Sequence, residues 1–189
     1  KKEILKKSKE KVNLNFFNVN KKIIKIVFVG RFVDQKDPLT FLKALTRINN
    51  KIDFRALMIG RGILKKKMVN FIKTNKLNKK IKLLNFKNNP YKYIEKSDLL
   101  VLTSKFEGLP NVLLEAQVLK KFIISSNCPT GPKEILLGGK GGLLFKVGNY
   151  SELQRKISYY LNNKKICKSM LNSALNQLGR FDYNLNLKK

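Results

Sequence analysis

A chain of 189 residues with a hydrophobic share of 43% is long enough for one domain with a real core and too apolar for a disordered segment. Its formal net charge of +29 favours anionic partners, but the lysines are spread over nearly every segment beside many Asn and Ile. That pattern fits AT-rich coding at tolerant surface positions and reads as a solvated surface with a modest attraction to anionic membranes. The chain has no histidine, which excludes imidazole base catalysis and His-ligated metal within it.

Residues 1–22 are basic, weakly periodic and then Asn-rich, and read as a linker or the remnant of an upstream lobe rather than a core element. They are too charged throughout for the apolar region of a signal peptide. Ile23–Gly30 is a β-branched strand closed by Gly. Asp37 and Pro38 then open a helix as N-cap and first helical residue, and Leu39, Phe41, Leu42, Leu45 and Ile48 give it an apolar face. A second strand covers Ile52–Gly60. A second helix covers Ile63 to about Asn75, with Leu64, Met68, Phe71 and Ile72 inward. A third strand, Ile81–Phe86, leads through KNNP to a short helix at Tyr91–Ser97.

Leu99–Leu102 is a buried strand, followed by a polar loop and a helix over Pro110–Leu119. Phe122–Ser125 is the fifth strand. SNCPTGPKEIL carries a short helix from Pro132, and the glycine-rich turn Gly138–Gly142 leads into a strand at Leu143–Val147. Helices over Tyr150–Leu161 and Lys164–Leu178 complete the pattern. Strands alternating with helices predict an α/β fold, a Rossmann-like parallel sheet with helices on both faces. Residues 23–180 make the domain and 181–189 a tail. No apolar run approaches the roughly 18–20 residues of a membrane span. Cys128 and Cys167 form no metal-ligand or CxxC spacing and suit a reducing cytoplasm.

Two carboxylates stand out around the fourth strand. Glu107 lies in the loop at its C-terminal end, and Glu115, with seven residues between them, lies just inside the following helix. In open α/β sheets ligands bind beyond the strand ends, and a helix start offers free N–H groups to an anion. A ligand with both a diphosphate and hydroxyls, such as a nucleotide sugar, suits that pairing. Glutamates in first helical turns are also common for purely structural reasons. The first strand-to-helix turn carries neither GxGxxG nor GxxxxGK[ST]. It carries Arg31 and Lys36, a donor fork and a point charge suited to a diphosphate, unless they are simply two more solvated cations.

Taken in order, G-R-x(4)-K, MIGRG, FKNNPYKYIEKSDLLVLTSKFEGLPNVLLEA, SSNCPTGPKEIL and GGLLFKVGN resemble one family over about Ile23 to Leu178. They are similar to the C-terminal, donor-binding lobe of GT-B glycosyltransferases of family 4, nearest to bacterial cell-envelope polysaccharide transferases. The resemblance implies that Arg31 and Lys36 stabilise charge on the donor diphosphate. It puts Glu107 beside the transferred sugar and Glu115 on the ribose hydroxyls. Backbone around Gly108, Leu109, Pro110 and Asn111 would meet sugar or phosphate, and Phe86 to Asn89 would lie near the base, largely through backbone contacts.

The family mostly works without metal and with retention, the leaving diphosphate taking the acceptor's proton. The resemblance therefore implies no cofactor, only a UDP- or GDP-sugar donor, with a glycan or lipid-linked acceptor. It also implies cytoplasmic work, peripheral at the inner face of the plasma membrane, and no specific nucleic acid. Such enzymes bind the acceptor on a separate N-terminal lobe, so this chain is expected to be a fragment, donor-binding and inert alone. Two local departures stand out: Asp37 where the family often has Gly, and Leu119–Phe122 where it often has G-x-P. A basic nucleic-acid-binding module is one alternative, opposed by aromatics at core-periodic positions (Phe28, Phe41, Phe54, Phe71). A sugar-nucleotide epimerase lobe is another, opposed by the absence of histidine.

Overall fold

Six short strands, each rich in apolar and β-branched residues, form a single parallel sheet in the computed structural model, which describes residues 1–12, 15–17 and 23–181. They are β1 (Ile24–Val29), β2 (Phe54–Ile59), β3 (Ile81–Leu84), β4 (Leu99–Leu102), β5 (Phe122–Ser126) and β6 (Leu143–Phe145). Their order across the sheet is β3-β2-β1-β4-β5-β6, every neighbour parallel. The chain thus builds outward from β1 to β3, then crosses back to lay β4 on the other side of β1. Ile26 pairs with Ala56 on one flank and with Leu99 on the other. That reversal leaves a crevice above the C-terminal ends of β1 and β4, where the candidate residues lie.

Helices cover both faces, as the alternation predicts. On one face, α2 (Pro38–Ile48), α3 (Lys65–Thr74), α7 (Tyr150–Asn162) and α8 (Lys164–Asn176) bury Phe41, Leu45, Met68, Ile72, Leu153, Ile157 and Cys167 against the sheet. Phe28 of β1 stacks on Phe41 of α2 at 6.0 Å between ring centroids. On the other face, α4 (Tyr91–Glu95), α5 (Asn111–Val118) and α6 (Pro132–Ile135) bury Ile94, Leu113, Ala116 and Ile135 against Leu57, Leu100 and Leu102. Each fully buried aliphatic or aromatic side chain contributes about 1.5–3 kcal/mol by leaving water.

The N-terminal stretch departs from a linker. A helix α1 (Lys2–Ser8) packs on α4 and α5, and Phe17 in a short 3-10 turn is buried in the second core cluster. Ile4, Val12 and Phe16 pack beside it, so enough apolar area is removed from water to order a segment whose propensity is weak. Residues 13, 14, 18–22 and 182–189 lie outside the described residues, and with them most of the predicted tail and part of the predicted linker.

Both local departures from the family pattern occupy left-handed backbone. Asp37 has φ +41° and caps α2, its carboxylate accepting from the Thr40 amide at 3.1 Å and the Thr40 hydroxyl at 2.6 Å. Aspartate tolerates this conformation better than most non-glycine residues, and its side chain replaces glycine's freedom with a cap. Lys120 has φ +55° just beyond α5. Its amide bonds the Gln117 carbonyl at 2.8 Å and that of Lys121 bonds Ala116 at 2.9 Å, which is a Schellman closure with lysine where glycine is usual.

Candidate functional site

The loop from Gly30 to Asp37 carries Arg31 and Lys36 out over the end of β1, and the loop from Thr103 to Pro110 does the same for Glu107 over β4. The two loops are tied together by backbone and hydroxyl bonds. The Thr103 hydroxyl meets both the Lys36 and Asp37 carbonyls, at 2.9 and 2.8 Å. The Lys105 amide donates to the Gln35 carbonyl at 2.8 Å. Across this seam the Lys36 ammonium lies 2.6 Å from a Glu107 carboxylate oxygen, with side-chain exposures of 18% and 7%. Shielding from water strengthens the attraction within the pair relative to a surface ion pair, at the cost of desolvating both charges.

Hydroxyls complete the carboxylate's surroundings. Ser104 donates to the same Glu107 oxygen at 2.5 Å, and its own carbonyl accepts from the buried Ser126 hydroxyl at 2.6 Å. Thr130 donates to the Glu107 carbonyl from left-handed backbone at φ +58°, a conformation unfavourable for a β-branched residue. Gly131 follows at φ +78°, where a Cβ would run into the Gly108 carbonyl oxygen and the Pro110 ring. The β5–α6 loop is thus pressed onto the glutamate loop, and strain gathers where position matters.

Arg31 is exposed and donates to Gln35 at 2.9 Å, which in turn reaches the Phe106 carbonyl at 3.2 Å. With Lys36, Arg31 lines a cavity of about 360 Å³ whose far wall is Arg61, Phe86 and Lys87. Its floor is Gly30 and Gly60, and a Cβ on Gly60 would run into the Gly30 carbonyl oxygen. The Arg61 guanidinium sits 5.3 Å from the Phe86 ring centroid. Gly108, Leu109 and Asn111 are exposed at the crevice rim, while Pro110 is buried beneath them.

Two of the predicted residues make their side-chain contacts away from the Lys36–Glu107 pair. Glu115 is not in the Lys36–Glu107 cluster. It meets the Tyr91 hydroxyl at 3.4 Å and lines a second cleft with Ile4, Asn111 and Leu178. Burial pushes its carboxyl above the usual carboxylate range, the Tyr91 hydrogen bond opposing that shift. The Tyr91 phenol is raised as well, by burial and then by the neighbouring Glu115 charge. Asn89 turns its amide nitrogen to α1, donating to the Lys7 carbonyl at 2.9 Å and to Glu10 at 2.8 Å, so its side chain anchors that helix.

Sequence reasoning missed Arg61, Ser104, Tyr91 and Thr130. Arg61 lies inside the MIGRG motif, and Ser104 stands three residues before Glu107, so both had a local signal; Tyr91 and Thr130 are found only through the fold. The aromatics weighed against nucleic-acid binding are where periodicity placed them: Phe28, Phe41 and Phe54 are fully buried and Phe71 half-buried. Among the described residues no group of three or more His, Cys, Asp or Glu side chains converges to hold a metal ion. No helix there is long and apolar enough to cross a membrane.

Comparisons with known proteins agree with the architecture. The profile of the family described as glycosyl transferases group 1 matches residues 9–177. A relative in Campylobacter jejuni is 31% identical over 157 residues, covering 83% of this chain and 42% of its own length. It is the N-acetylgalactosamine-N,N'-diacetylbacillosaminyl-diphospho-undecaprenol 4-alpha-N-acetylgalactosaminyltransferase. The chain spans less than half the length of the first curated relatives it matches, 42%, 32% and 44%. Among solved structures, Anabaena HepE in complex with UDP superposes with a TM-score of 0.75 at 19% identity, covering 84% of this chain and 44% of HepE. The C-terminal domain of a glycosyl transferase group 1 family protein, LpcC of Francisella tularensis, gives 0.75 at 22% identity, covering 85% of this chain and 86% of that domain. At these identities the two superpositions establish the shared fold.

Proposed function

The chain belongs to the glycosyl transferases group 1 family, with the GT-B lobe fold, and from that premise we propose that it binds the nucleotide-diphosphate sugar of a hexosyl transfer. The observation that carries this is the Lys36–Glu107 pair, 2.6 Å apart at the switch point of the sheet and opening onto a cavity shared with Arg31. An ammonium has three N–H donors, and Glu107 occupies one. The others remain for diphosphate oxygens, so Lys36 can bridge the phosphate to the carboxylate beside the sugar. Arg31 adds a donor fork from the exposed side.

In this reading the donor is a UDP- or GDP-sugar and its base lies toward Arg61 and Phe86. The UDP bound in HepE supports the diphosphate class. Charge accumulating on the leaving diphosphate is stabilised by Arg31 and Lys36, with no metal and no dedicated protein base. The diphosphate takes the acceptor's proton, and transfer proceeds with retention, as in family 4. The acceptor is a glycan or lipid-linked sugar of envelope polysaccharide synthesis, held by a second lobe facing the crevice. The diphospho-undecaprenol acceptor in the name of the Campylobacter relative supports that class. The reaction belongs at the cytoplasmic face of the membrane. Glu115 reaches the ribose only if its side chain swings from Tyr91 toward the crevice.

Saturation-transfer NMR against UDP-GlcNAc, UDP-Gal and GDP-Man tests the site. One nucleotide's ribose and base protons should receive signal, and Lys36→Met should weaken binding at least tenfold, as expected for a lost charge-assisted contact of about 1.5–3 kcal/mol. Absence of signal from every nucleotide sugar, or affinity untouched by Lys36→Met, overturns the assignment.

A further inference from the structure

The molecule's charge is less even than its composition suggests. From Phe54 to Ile94 the chain carries twelve Lys and Arg and not one Asp or Glu. The middle part of this segment, α3 and β3, forms one edge of the molecule, since β3 is the outermost strand, while Lys80 and Lys92 of the segment are paired with Asp53 at 3.9 Å and Glu10 at 3.5 Å. The first turn of α3 holds Lys65, Lys66 and Lys67 and no acid, which sets three ammoniums on the positive end of the helix dipole. Lys65 is engaged with the Asn85 side chain at 2.6 Å, while Lys66 and Lys67 are exposed. Directly before them, Ile63 is 86% exposed, and Val69, six residues on, is 47% exposed.

We propose that this edge, with Ile63 at its apex, Lys66 and Lys67 beside it and Lys73 at the far end of α3, docks on an anionic lipid bilayer. Two features select that partner. A cationic α3 with no acid in its first turn complements an anionic leaflet, and the repulsion at the α3 start is relieved when anionic headgroups arrive. The exposed apolar groups beside the lysines are aliphatic, which suits insertion among acyl chains and supplies no ring for stacking on bases. Among the described residues the exposed aromatic near this edge, Phe86, already carries the Arg61 guanidinium over its face. Because β2 runs into α3 at the crevice end of the sheet, a bilayer docked here lies beside the Arg61 and Phe86 wall of the donor cavity. The inference stands on the surface alone and does not require the donor assignment.

The chain has no tryptophan, so a single one introduced at the apex is the only indole reporter. In the full chain, Ile63→Trp emission should shift to the blue on phosphatidylcholine vesicles containing phosphatidylglycerol and be quenched by acyl-brominated lipid. Ile166→Trp, at a half-exposed position on α8, should respond to neither. Lys66→Gln with Lys67→Gln should weaken vesicle affinity roughly 25-fold, about fivefold per lysine. The charge-matched pair Lys165→Gln with Lys168→Gln on α8 should cost much less. Equal losses in the two double variants, or an indole at 63 unmoved by vesicles, overturns the proposal. So does binding of a short RNA that depends on Lys66 and Lys67 while vesicles are ignored.

Discussion

Replacing Lys120 by glycine should stabilise the protein, although it removes a charged side chain and adds nothing. Lys120 closes α5 with φ +55°, where an L-residue's Cβ crowds the following carbonyl at a cost of about 1–2 kcal/mol. Glycine escapes that cost but loses more freedom on folding, about 0.4–1 kcal/mol. The side chain is exposed and makes no ion pair among the described residues, so little else changes. The balance is a gain of about 0.5–1 kcal/mol, or roughly 1–4 °C in Tm for a chain of this length. Urea titration of wild type and Lys120→Gly should show the midpoint rising at unchanged slope. Lys140→Gly is the control with the opposite sign: φ there is −80°, so glycine brings only flexibility and should cost about 0.5–1 kcal/mol. If both variants shift the same way, the conformational argument fails. A loss at 120 would mean the lysine makes a contact stronger than the strain.

Ser104→Ala removes one of the two partners that the Glu107 carboxylate has among the described residues and should weaken donor binding about fivefold, near the ~1 kcal/mol of one hydrogen bond, with the fold intact by circular dichroism. Gly131→Ala drives a Cβ into the Gly108 carbonyl and Pro110, and should cost more than about 2 kcal/mol in urea unfolding while weakening nucleotide binding. Glu115→Gln probes the raised carboxyl. A folded-state pKa above the unfolded one favours the native state below the unfolded pKa, and that contribution is lost as pH rises through the folded value. The variant should therefore be more stable than wild type at pH 7, with the difference closing as the pH falls toward 4 in thermal scans. A constant difference would place the effect in packing rather than charge.

The sheet was written plainly into the chain, because its strands are buried on both faces and appear as short apolar runs between glycine and polar turns. Leu99–Leu102 falls on β4 residue for residue, and Asp37 caps α2 as its position before Pro38 predicts. Lys36 and Glu107, 71 residues apart, are assigned to one donor by the motif order, but nothing in the sequence pairs them with each other; their contact emerges only in the fold. What stayed hidden depends on tertiary partners. Phe17 sits in an Asn-rich stretch with no periodicity and is buried because α1 and the second face of the sheet receive it. Asn89 reads as a crevice residue until α1 arrives to take its amide. The orientation of Glu115 is likewise set by Tyr91, whose α4 lies beside α5 only in the assembled fold.

The Thr103 hydroxyl that grips two carbonyls of the opposite loop has a bearing on when the site comes into being. β1 and β4 are separated in sequence by the whole β2–α3–β3–α4 excursion, and only their pairing brings Thr103 to Lys36 and Asp37. Contacts of such sequence separation are closed late, after local helices and the first strand pair have formed. The crevice is then absent from most of the route to the native state. A donor analogue grips only the finished sheet, so it should leave the folding rate almost untouched and act as a brake on unfolding.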